Sequence, residues 1–343
     1  MDERERMQKK IRGALIGVAY GDSFGMPVEM WSRKRIAAAY GKIEKHLPGN
    51  SHNFISKGLA AFEVTDDTLN TALVVDMLYG NKGRVDAMEF IRLLKDWAAN
   101  SPKSTAVIGP STARAIERME AGVPLEEAGI MGTTNGGAMK ILPLGLIHDL
   151  GDLYEMVEDV KELCLPTHNT SPAISGAAAV AAAVCYALND GKDLDQMISF
   201  TERAADAGAK YGNQIGGPSV SARLAFIRQY IKGHGRMESL DFIGDIIGTG
   251  LPVEESAVAA ISFACLSQGN PVICGEYAVN GGGDTDTVAA MACGICGALR
   301  GEEAFDRETV KRIEEVNGLS FDEMAEKMMK VREWRLPAAI KGS

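Results

Sequence analysis

Two short acidic segments are the strongest candidates for a chemical site, and each precedes an apolar run. They are Thr65-Asp66-Asp67-Thr68 and Gly281-Gly282-Gly283-Asp284-Thr285-Asp286-Thr287. Asp and Thr often cap helices, because their side chains accept hydrogen bonds from the free amides of a first turn. A cap needs only one such residue, whereas each segment carries two carboxylates that would repel each other near an apolar core. A bound cation would remove that repulsion.

The donor atoms of these segments indicate which cation would fit. Carboxylate, hydroxyl and water oxygens suit hard divalent ions, so Mg or Mn is favoured over zinc. Calcium is disfavoured, because no segment resembles a calcium-binding loop. Helix capping remains the alternative for either segment alone, and the occurrence of two such segments favours a metal site.

Two glycine-rich segments are candidates for ligand contact. The run Gly281-Gly282-Gly283 lets a ligand approach the backbone and its amide groups closely. A second segment, Gly132-Thr133-Thr134-Asn135-Gly136-Gly137-Ala138-Met139, could cradle phosphate or sugar oxygens. An ordinary loop is the alternative for both. Neither segment matches a dinucleotide fingerprint or a P-loop, so a Rossmann or nucleotide-triphosphate site is not supported.

Two single residues complete the candidates. His168 lies just ahead of an apolar helix, where it could bond a ligand or satisfy its own capping loop. Glu29 follows the first helix in a segment broken by glycine, which could bring its carboxylate over a site. A solvated surface position is the alternative for Glu29.

Helices must position these residues, because apolar side chains recur at helical spacing and few alternating strand patterns occur. A first helix over 5–20 should end at the breaker Gly21-Asp22-Ser23, and residues 33–64 should form a long irregular loop, with a short hairpin within 52–64 as an alternative. A helical run follows Thr68 as far as Leu78. Further helices are predicted at 84–99, 104–121, 152–165, 173–189, 194–209, 219–232, 239–247, 254–268, 285–300 and 307–317. The predicted fold class is all-α.

Two of the predicted helices should lie at the centre of the fold. Ala173–Leu188 and Thr287–Leu299 are apolar on nearly every face and consist largely of Ala, Gly and Val. Their apolar stretches fall short of the ~18 residues that span a bilayer, so burial inside the protein is expected. No Pro/Gly/Ser-rich linker interrupts the chain, and residues 1–343 are predicted to form a single domain.

Composition narrows the partners and the compartment. The 343 residues include 36 basic and 46 acidic side chains, a formal net charge of -10. Binding nucleic acid requires clustered Lys and Arg, so no nucleic-acid partner is expected. The six cysteines are scattered, and no second pair or His cluster completes a zinc site with Cys293 and Cys296. The N-terminal decapeptide lacks an apolar core, so we expect a cytoplasmic protein without a membrane partner.

Five motifs in this order resemble those of the ADP-ribosylglycohydrolase family. They are GDSFGMPVE at 21–29, TDDT at 65–68, TTNGGAMKILPLG at 133–145, THNTS at 167–171 and GGGDTDTVAAMACGICGAL at 281–299. The resemblance covers most of the chain. It implies an all-α fold with two divalent cations, Mg or Mn, in a cleft that binds ADP-ribose.

The resemblance also assigns roles to matching residues. The metal ligands would be Thr65, Asp66, Asp67, Asp284, Asp286 and Thr287, with Asp286 bridging the two ions. Glu29 matches a catalytic glutamate on a mobile loop, and Glu29, Asp66 and Asp67 are the candidates for moving protons. The predicted substrate contacts are Asn135, Gly136, Gly137, His168, Gly282 and Gly283.

The implied activity is hydrolysis at the anomeric carbon of a ribose, most simply removal of ADP-ribose from an acceptor. Val107 stands near the start of a stretch where arginine-cleaving members often carry an acidic residue, and valine cannot bind a guanidinium group. A nucleoside or other small ribosyl N-glycoside is therefore an alternative substrate. A non-catalytic ADP-ribose-binding or crystallin-like structural role is the alternative of another class. The sequence leaves the oligomeric state open.

Overall fold

The computed structural model describes residues 2–100, 109–189, 191 and 193–336, and in this part of the chain the regular elements are helices. The α-helices in chain order are α1 (Glu3–Gly25), α2 (Arg33–Tyr40), α3 (Asp66–Gly80), α4 (Ala87–Asn100), α5 (Pro110–Glu120), α6 (Leu125–Ala128), α7 (Leu142–Leu146), α8 (Leu153–His168), α9 (Ser171–Asn189), α10 (Leu194–Gly208), α11 (Val220–Gly233), α12 (Arg236–Phe242), α13 (Val253–Leu266), α14 (Pro271–Gly281), α15 (Thr285–Arg300), α16 (Arg307–Asn317) and α17 (Phe321–Arg335). Short 3₁₀ turns occupy Met26–Val28, Asn135–Gly137 and Glu302–Ala304, and a π-helical turn occupies Ile243–Ile247. The all-α prediction is confirmed.

The backbones of α1 and α15 pack directly against each other. Glycines at four-residue spacing line one face of α1, at positions 13, 17, 21 and 25. A Cβ atom added to Gly17 would lie 2.2 Å from the Cys293 carbonyl oxygen, and one added to Gly21 would lie 2.1 Å from that of Ala289. The glycines therefore let the two helix backbones touch, as four-residue spacing places all of them on one face.

Helix α9 lies in the middle of the molecule, as its composition predicts. The expectation that it is too short to span a bilayer is wrong, since its 19 residues are long and apolar enough to do so. The expected burial is confirmed, because 94% of its most apolar window is buried inside the protein. The side chains of Ala177 to Ala183 are almost fully inaccessible and belong to one continuous hydrophobic core that also includes α1, α13 and α15. Packing inside the protein thus accounts for its apolar character.

The chain departs from the predicted elements at its first helix and first loop. Helix α1 continues through Gly21-Asp22-Ser23 to Gly25, because these glycines are packing sites against α15 and do not break the helix. The predicted irregular segment 33–64 contains α2, whose N-cap Ser32 accepts from the Arg35 amide. Residues 52–64 form turns, so the hairpin alternative is wrong.

Further differences lie elsewhere in the chain. The prediction missed α14 and α17, although each begins after an N-cap residue, Asn270 or Ser320, whose side chain accepts first-turn amides. The helix expected at 104–121 is described only from Pro110 onward. The substrate argument based on Val107 lies outside the described residues.

Candidate metal centre and active site

Carboxylates at the ends of three helices lie close together in the protein interior. Helix α1 carries Asp22 near its C-terminus, α3 carries Asp67 in its first turn, and α15 carries Asp286 in its first turn. All three are buried, with at most 3% of the residue exposed. Residues 220 positions apart in sequence are thereby neighbours, since the Thr287 hydroxyl lies 3.2 Å from Asp67 Oδ2.

The carboxylates form two groups that share one member. Asp22, Asp67 and Asp286 each place an oxygen within 4.8 Å of the others, and so do Glu29, Asp284 and Asp286. Asp286 belongs to both groups. This arrangement is what two adjacent ion sites with a common ligand require.

The residues present fit a hard divalent cation. Asp67 Oδ1 and Asp286 Oδ1 are buried and have no hydrogen-bond partner among the described residues, which is costly for a carboxylate oxygen unless something else binds it. Asp67 Oδ2 accepts from the Thr65 and Thr287 hydroxyls, at 3.1 and 3.2 Å. Carboxylate and hydroxyl oxygens form a hard-ion donor set, so these acidic clusters could bind a metal.

Electrostatics support the same conclusion. Burial, and then the neighbouring carboxylates, raise the pKa of Asp67 and of Asp286 well above the usual range. Burial also raises the pKa of Glu29, which the charges of Asp284 and Asp66 raise further. Without a cation, the cluster holds protons at pH values where isolated carboxylates are ionised. A divalent ion would supply the missing positive charge and displace these protons.

The first acidic cluster is anchored by Asp22, a residue that the sequence interpretation placed in a helix breaker and in the GDSFGMPVE motif but to which it gave no role. Its carboxylate accepts from the Thr65 amide at 3.0 Å and from the Thr68 amide at 3.1 Å. The Thr68 hydroxyl donates to it at 2.5 Å. A charged residue inside the otherwise uncharged C-terminal half of α1, residues 13–25, was the available signal, because an unpaired buried carboxylate is rare.

The second cluster is anchored mainly by backbone. The Asp284 amide donates to the Thr249 carbonyl at 2.7 Å, and the Thr249 hydroxyl donates to the Gly282 carbonyl at 2.7 Å. Gly282 and Gly283 have φ of 74° and 81°, a region that favours glycine, and a Cβ on Gly283 would lie 2.4 Å from Thr249. Asn135 Nδ2 donates to Asp284 Oδ2 at 2.5 Å, which ties the Asn135–Gly137 turn to the cluster.

Glu29 lies on a separate, partly exposed segment. The Met30 amide donates to the Gly283 carbonyl at 2.7 Å, and Trp31 forms an isolated β-bridge with Gly283. Met30 has φ of 62°, which strains a residue with a side chain. The Asn53 side chain donates to the Glu29 carbonyl at 2.9 Å, so the loop after α2 braces the segment from its other side.

His168 lies beneath the glycine turn and is fully inaccessible. Its Nε2 is 3.1 Å from the Thr134 hydroxyl, and its Nδ1 is 2.8 Å from the Thr167 hydroxyl. A Cβ on Gly136 would lie 2.8 Å from the imidazole, so the ring supports this turn from below. Burial, and then the charge of Lys140, lower the pKa of His168 far below its usual value, so the ring is neutral.

The structure brings most of the predicted ligand residues together. Four of the predicted residues lie in the two carboxylate groups, namely Glu29, Asp67, Asp284 and Asp286. Thr65 and Thr287 both bond to Asp67. Asp66 lies in neither group.

The predicted substrate contacts lie around this centre. Asn135 bonds to Asp284, and Gly136 and Gly137 both pack against the His168 side chain. Gly282 lies against the backbone of residues 31–33, with a Cβ there only 2.6 Å from the Arg33 amide nitrogen. The catalytic, ligand and substrate roles assigned from the sequence remain predictions.

Fold and site together define an all-α protein with a buried carboxylate centre that could bind a metal. The chain belongs to the ADP-ribosylglycohydrolase family, whose model matches residues 3–337. The resemblance drawn from the five motifs is therefore confirmed, and membership supports a hydrolase that acts on ADP-ribose glycosidic bonds.

Individual relatives match along most of the chain. An uncharacterised protein, YegU, of Escherichia coli (strain K12) is 33% identical over 95% of this chain and 98% of its own length. The ADP-ribosyl-[dinitrogen reductase] glycohydrolase of Rhodospirillum rubrum is 27% identical over 84% of this chain and 85% of its own. The solved structure of an ADP-ribosylglycohydrolase-related protein complex shares the fold, with a TM-score of 0.68, 21% identity, and coverage of 96% of this chain and 99% of that one.

Proposed function

We propose that this protein removes ADP-ribose from an acceptor by hydrolysing the ribosyl glycosidic bond, with two divalent cations, Mg or Mn, held by the two acidic clusters. The observation that carries the proposal is the position of Asp286. It belongs to both carboxylate groups, and its Oδ1 is buried without a hydrogen-bond partner in the described part of the chain. An oxygen in that position is suited to bridging two cations.

The ligand residues would be divided between the clusters. Thr65, Asp66 and Asp67 would serve from the start of α3, and Asp284, Asp286 and Thr287 from the start of α15. Bound ions would supply Lewis acidity, orient the vicinal hydroxyls of the ribose and lower the pKa of a water molecule. The turn that Asn135 begins would line the sugar and phosphates, and the hydrogen bond from Asn135 to Asp284 supports this role.

Glu29 is the candidate for moving protons. It is partly buried beside Asp284 and Asp286, and its pKa is raised by burial and by the charges of Asp284 and Asp66. Water adds a hydroxyl to the anomeric carbon as the bond to the acceptor breaks, one proton leaves the water, and one proton joins the departing acceptor atom. A carboxyl that titrates near neutral pH can serve either transfer.

A substrate panel tests the proposal. We expect ADP-ribosylated arginine or serine to release free ADP-ribose in the presence of Mg or Mn, and chromatography of the products would show it. Samples with excess chelator, and the Asp286→Ala variant, serve as controls. Release of free base from nucleosides alone would favour the small N-glycoside alternative. No metal-dependent turnover on any member would overturn the enzymatic proposal and favour a binding role.

A further inference from the structure

The N-terminus of α3 is capped in an unusual way. Thr65 occupies the N-cap position, but its side chain makes no capping hydrogen bond to the described first turn. Its hydroxyl instead donates to Asp67 Oδ2, inside the carboxylate centre. A Thr N-cap side chain normally accepts from the amide of the second or third helical residue, which stabilises the start of the helix.

Asp22 supplies the missing acceptor from another helix. The third residue of α3 is Thr68, whose amide donates to Asp22 Oδ2 at 3.1 Å, and the Thr65 amide donates to both oxygens at 3.0 Å. The Thr68 hydroxyl adds a further bond to Oδ2. The carboxylate of Asp22 therefore satisfies the first turn of α3 in place of the local cap.

The acceptor capacity of Asp22 is used differently from that of its neighbours. Both Asp22 oxygens receive hydrogen bonds from the protein, whereas Asp67 and Asp286 each keep one buried oxygen that no described residue bonds. Asp22 nonetheless lies within 4.8 Å of these two residues. Asp22 thus has the surroundings of a residue that orients a ligand, because it bonds to the turn that carries Asp67. The free oxygens belong to Asp67 and Asp286.

The position of Asp22 is itself fixed by packing. Its neighbour Gly21 lies against the backbone of Ala289 in α15, where a Cβ atom would come within 2.1 Å of the carbonyl oxygen. Asp22 is thus held relative to α15, and it holds α3 through Thr65 and Thr68. This chain of contacts sets the separation between the two acidic clusters.

We propose that Asp22 is a positioning residue of the metal centre: it caps α3 from α1, which frees the side chains of the Thr65–Asp67 segment for cation binding. The inference rests on the proposed metal-dependent function. It assigns to Asp22 no contact with the substrate. Weakening the cap should therefore lower the affinity for the cation while leaving a folded protein.

Mn²⁺ binding to the full-length protein, followed by the EPR signal of the free ion, tests this role. Asp22→Asn keeps the size of the side chain but replaces one acceptor oxygen by a donor, and Thr68→Val removes the hydroxyl bond while keeping the shape. We expect Mn²⁺ affinity to fall about 10–100-fold in Asp22→Asn and to a smaller extent in Thr68→Val. Thr68→Ser, which keeps the hydroxyl, should bind within about twofold of wild type.

Two controls separate positioning from general destabilisation. Leu78→Ala, a buried change at the opposite end of α3, should lower the melting temperature without changing Mn²⁺ affinity. Hydrogen exchange of the metal-free protein should be faster at the Thr65 and Thr68 amides in Asp22→Asn. If the activity is metal-dependent, saturating Mn²⁺ should restore turnover of Thr68→Val.

The outcomes distinguish this inference from the proposed function. Unchanged Mn²⁺ affinity in folded Asp22→Asn or Thr68→Val would overturn the positioning role and leave the proposed hydrolase intact. If Asp22→Asn does not fold, the Mn²⁺ affinities of Thr68→Val and Thr68→Ser are compared instead, and equal affinities would overturn the positioning role. Failure of the wild-type protein to bind Mn²⁺ would overturn both proposals. Binding that depends on Asp22 without turnover on any substrate would support the inference and contradict the hydrolase.

Discussion

The two acidic clusters reach the same centre, but they are held there by different kinds of contact. The cluster at the start of α3 depends on hydrogen bonds to Asp22. The cluster at the start of α15 depends on glycine positions where no Cβ atom fits, at Gly283 and across α1 at Gly21 and Gly25. Hydrogen bonds to a side chain of another helix hold the first cluster, whereas backbone hydrogen bonds and close backbone packing together hold the second.

This difference predicts which substitutions each acidic cluster tolerates. Loss of a hydrogen bond leaves a buried donor unsatisfied but hardly moves the backbone. An extra methyl group in the glycine contact forces two helices apart, because protein interiors have no spare volume. We therefore expect changes in the first cluster to affect ion affinity more than stability, and changes around α15 to affect stability first.

The largest effect on activity should come from substitution of Asp286, which belongs to both carboxylate groups. Asp286→Ala removes the oxygen shared by both carboxylate groups, so we expect metal-dependent hydrolysis to fall more than about 100-fold. Measurement of kcat at saturating Mn²⁺, with circular dichroism to verify an unchanged helical content, checks this. Undiminished turnover in this variant would refute a mechanism based on the shared carboxylate.

The next largest effect concerns the glycine contact between α1 and α15. Gly21→Ala would place a methyl group against the Ala289 carbonyl, and we expect a loss of about 3 kcal/mol in the free energy of unfolding. Gly80→Ala is the matched control, because no atom of the described residues lies within 4 Å of a Cβ there and alanine is the better helix former. Denaturant unfolding of both variants measures the difference. Equal stability of the two would show that α1 and α15 can separate at little cost.

An effect of intermediate size is expected in the pH dependence of the melting temperature, compared with and without Mn²⁺. In the metal-free protein, burial first and neighbouring charge second raise the pKa of Glu29 to about 8, and burial raises that of Asp22 to about 6. The folded state then holds protons that the unfolded chain loses near pH ~4. This contribution to stability is complete below that pH and is lost as pH rises towards 8.

The gain in melting temperature on adding Mn²⁺ should accordingly be larger at about pH 8 than at about pH 5.5. Thermal melts with excess chelator or with Mn²⁺, compared at each pH, give this gain. Titratable groups outside the carboxylate centre, such as the buried His46, contribute equally to both melts and cancel. A gain that does not depend on pH would contradict the assignment of the cation to these carboxylates.

The smallest effect is expected at Met30, which belongs neither to the contacts of Asp22 nor to the glycine contacts of α15. Met30→Gly relieves a strained left-handed conformation but makes the unfolded chain more flexible, so stability should change by less than about 1 kcal/mol. Lys82→Gly is the control, since Lys82 also has a positive φ but follows the distant end of α3. Only Met30→Gly should change kcat, by a few-fold, because Met30 adjoins Glu29. A matching change in kcat for Lys82→Gly would remove that interpretation.

Much of the fold follows from local patterns, and the part that does not is informative. The helices α9 and α15 were predictable because apolar residues cover nearly every face. Helix α14 was missed although Asn270 and Pro271 form a good start signal. Its apolar stripe is weak because Val272, Ile273 and Tyr277 lie outside the buried face. The glycines of α1 look like breakers locally, and only the neighbouring backbone of α15 explains them.

The site was predictable in composition but not in assembly. Repulsion between adjacent carboxylates indicated a cation from sequence alone, and the motifs indicated the residues. The role of Asp22 could not be inferred, because it depends on the first turn of a helix 46 residues further along the chain. His168 likewise stands next to an apolar helix in sequence, whereas its position beneath Gly136 is a tertiary contact.

The pairing of α1 with α15 also constrains how the protein is made. Because ribosomes extend the chain from its N-terminus, α1 emerges long before the segment against which its glycines pack. Until residues 285–300 have been synthesised, one whole face of α1 lacks its partner, and such non-local contacts form late in folding. The carboxylate centre is therefore completed only after Asp286 has been synthesised, and a shorter nascent chain lacks the carboxylate that both groups share.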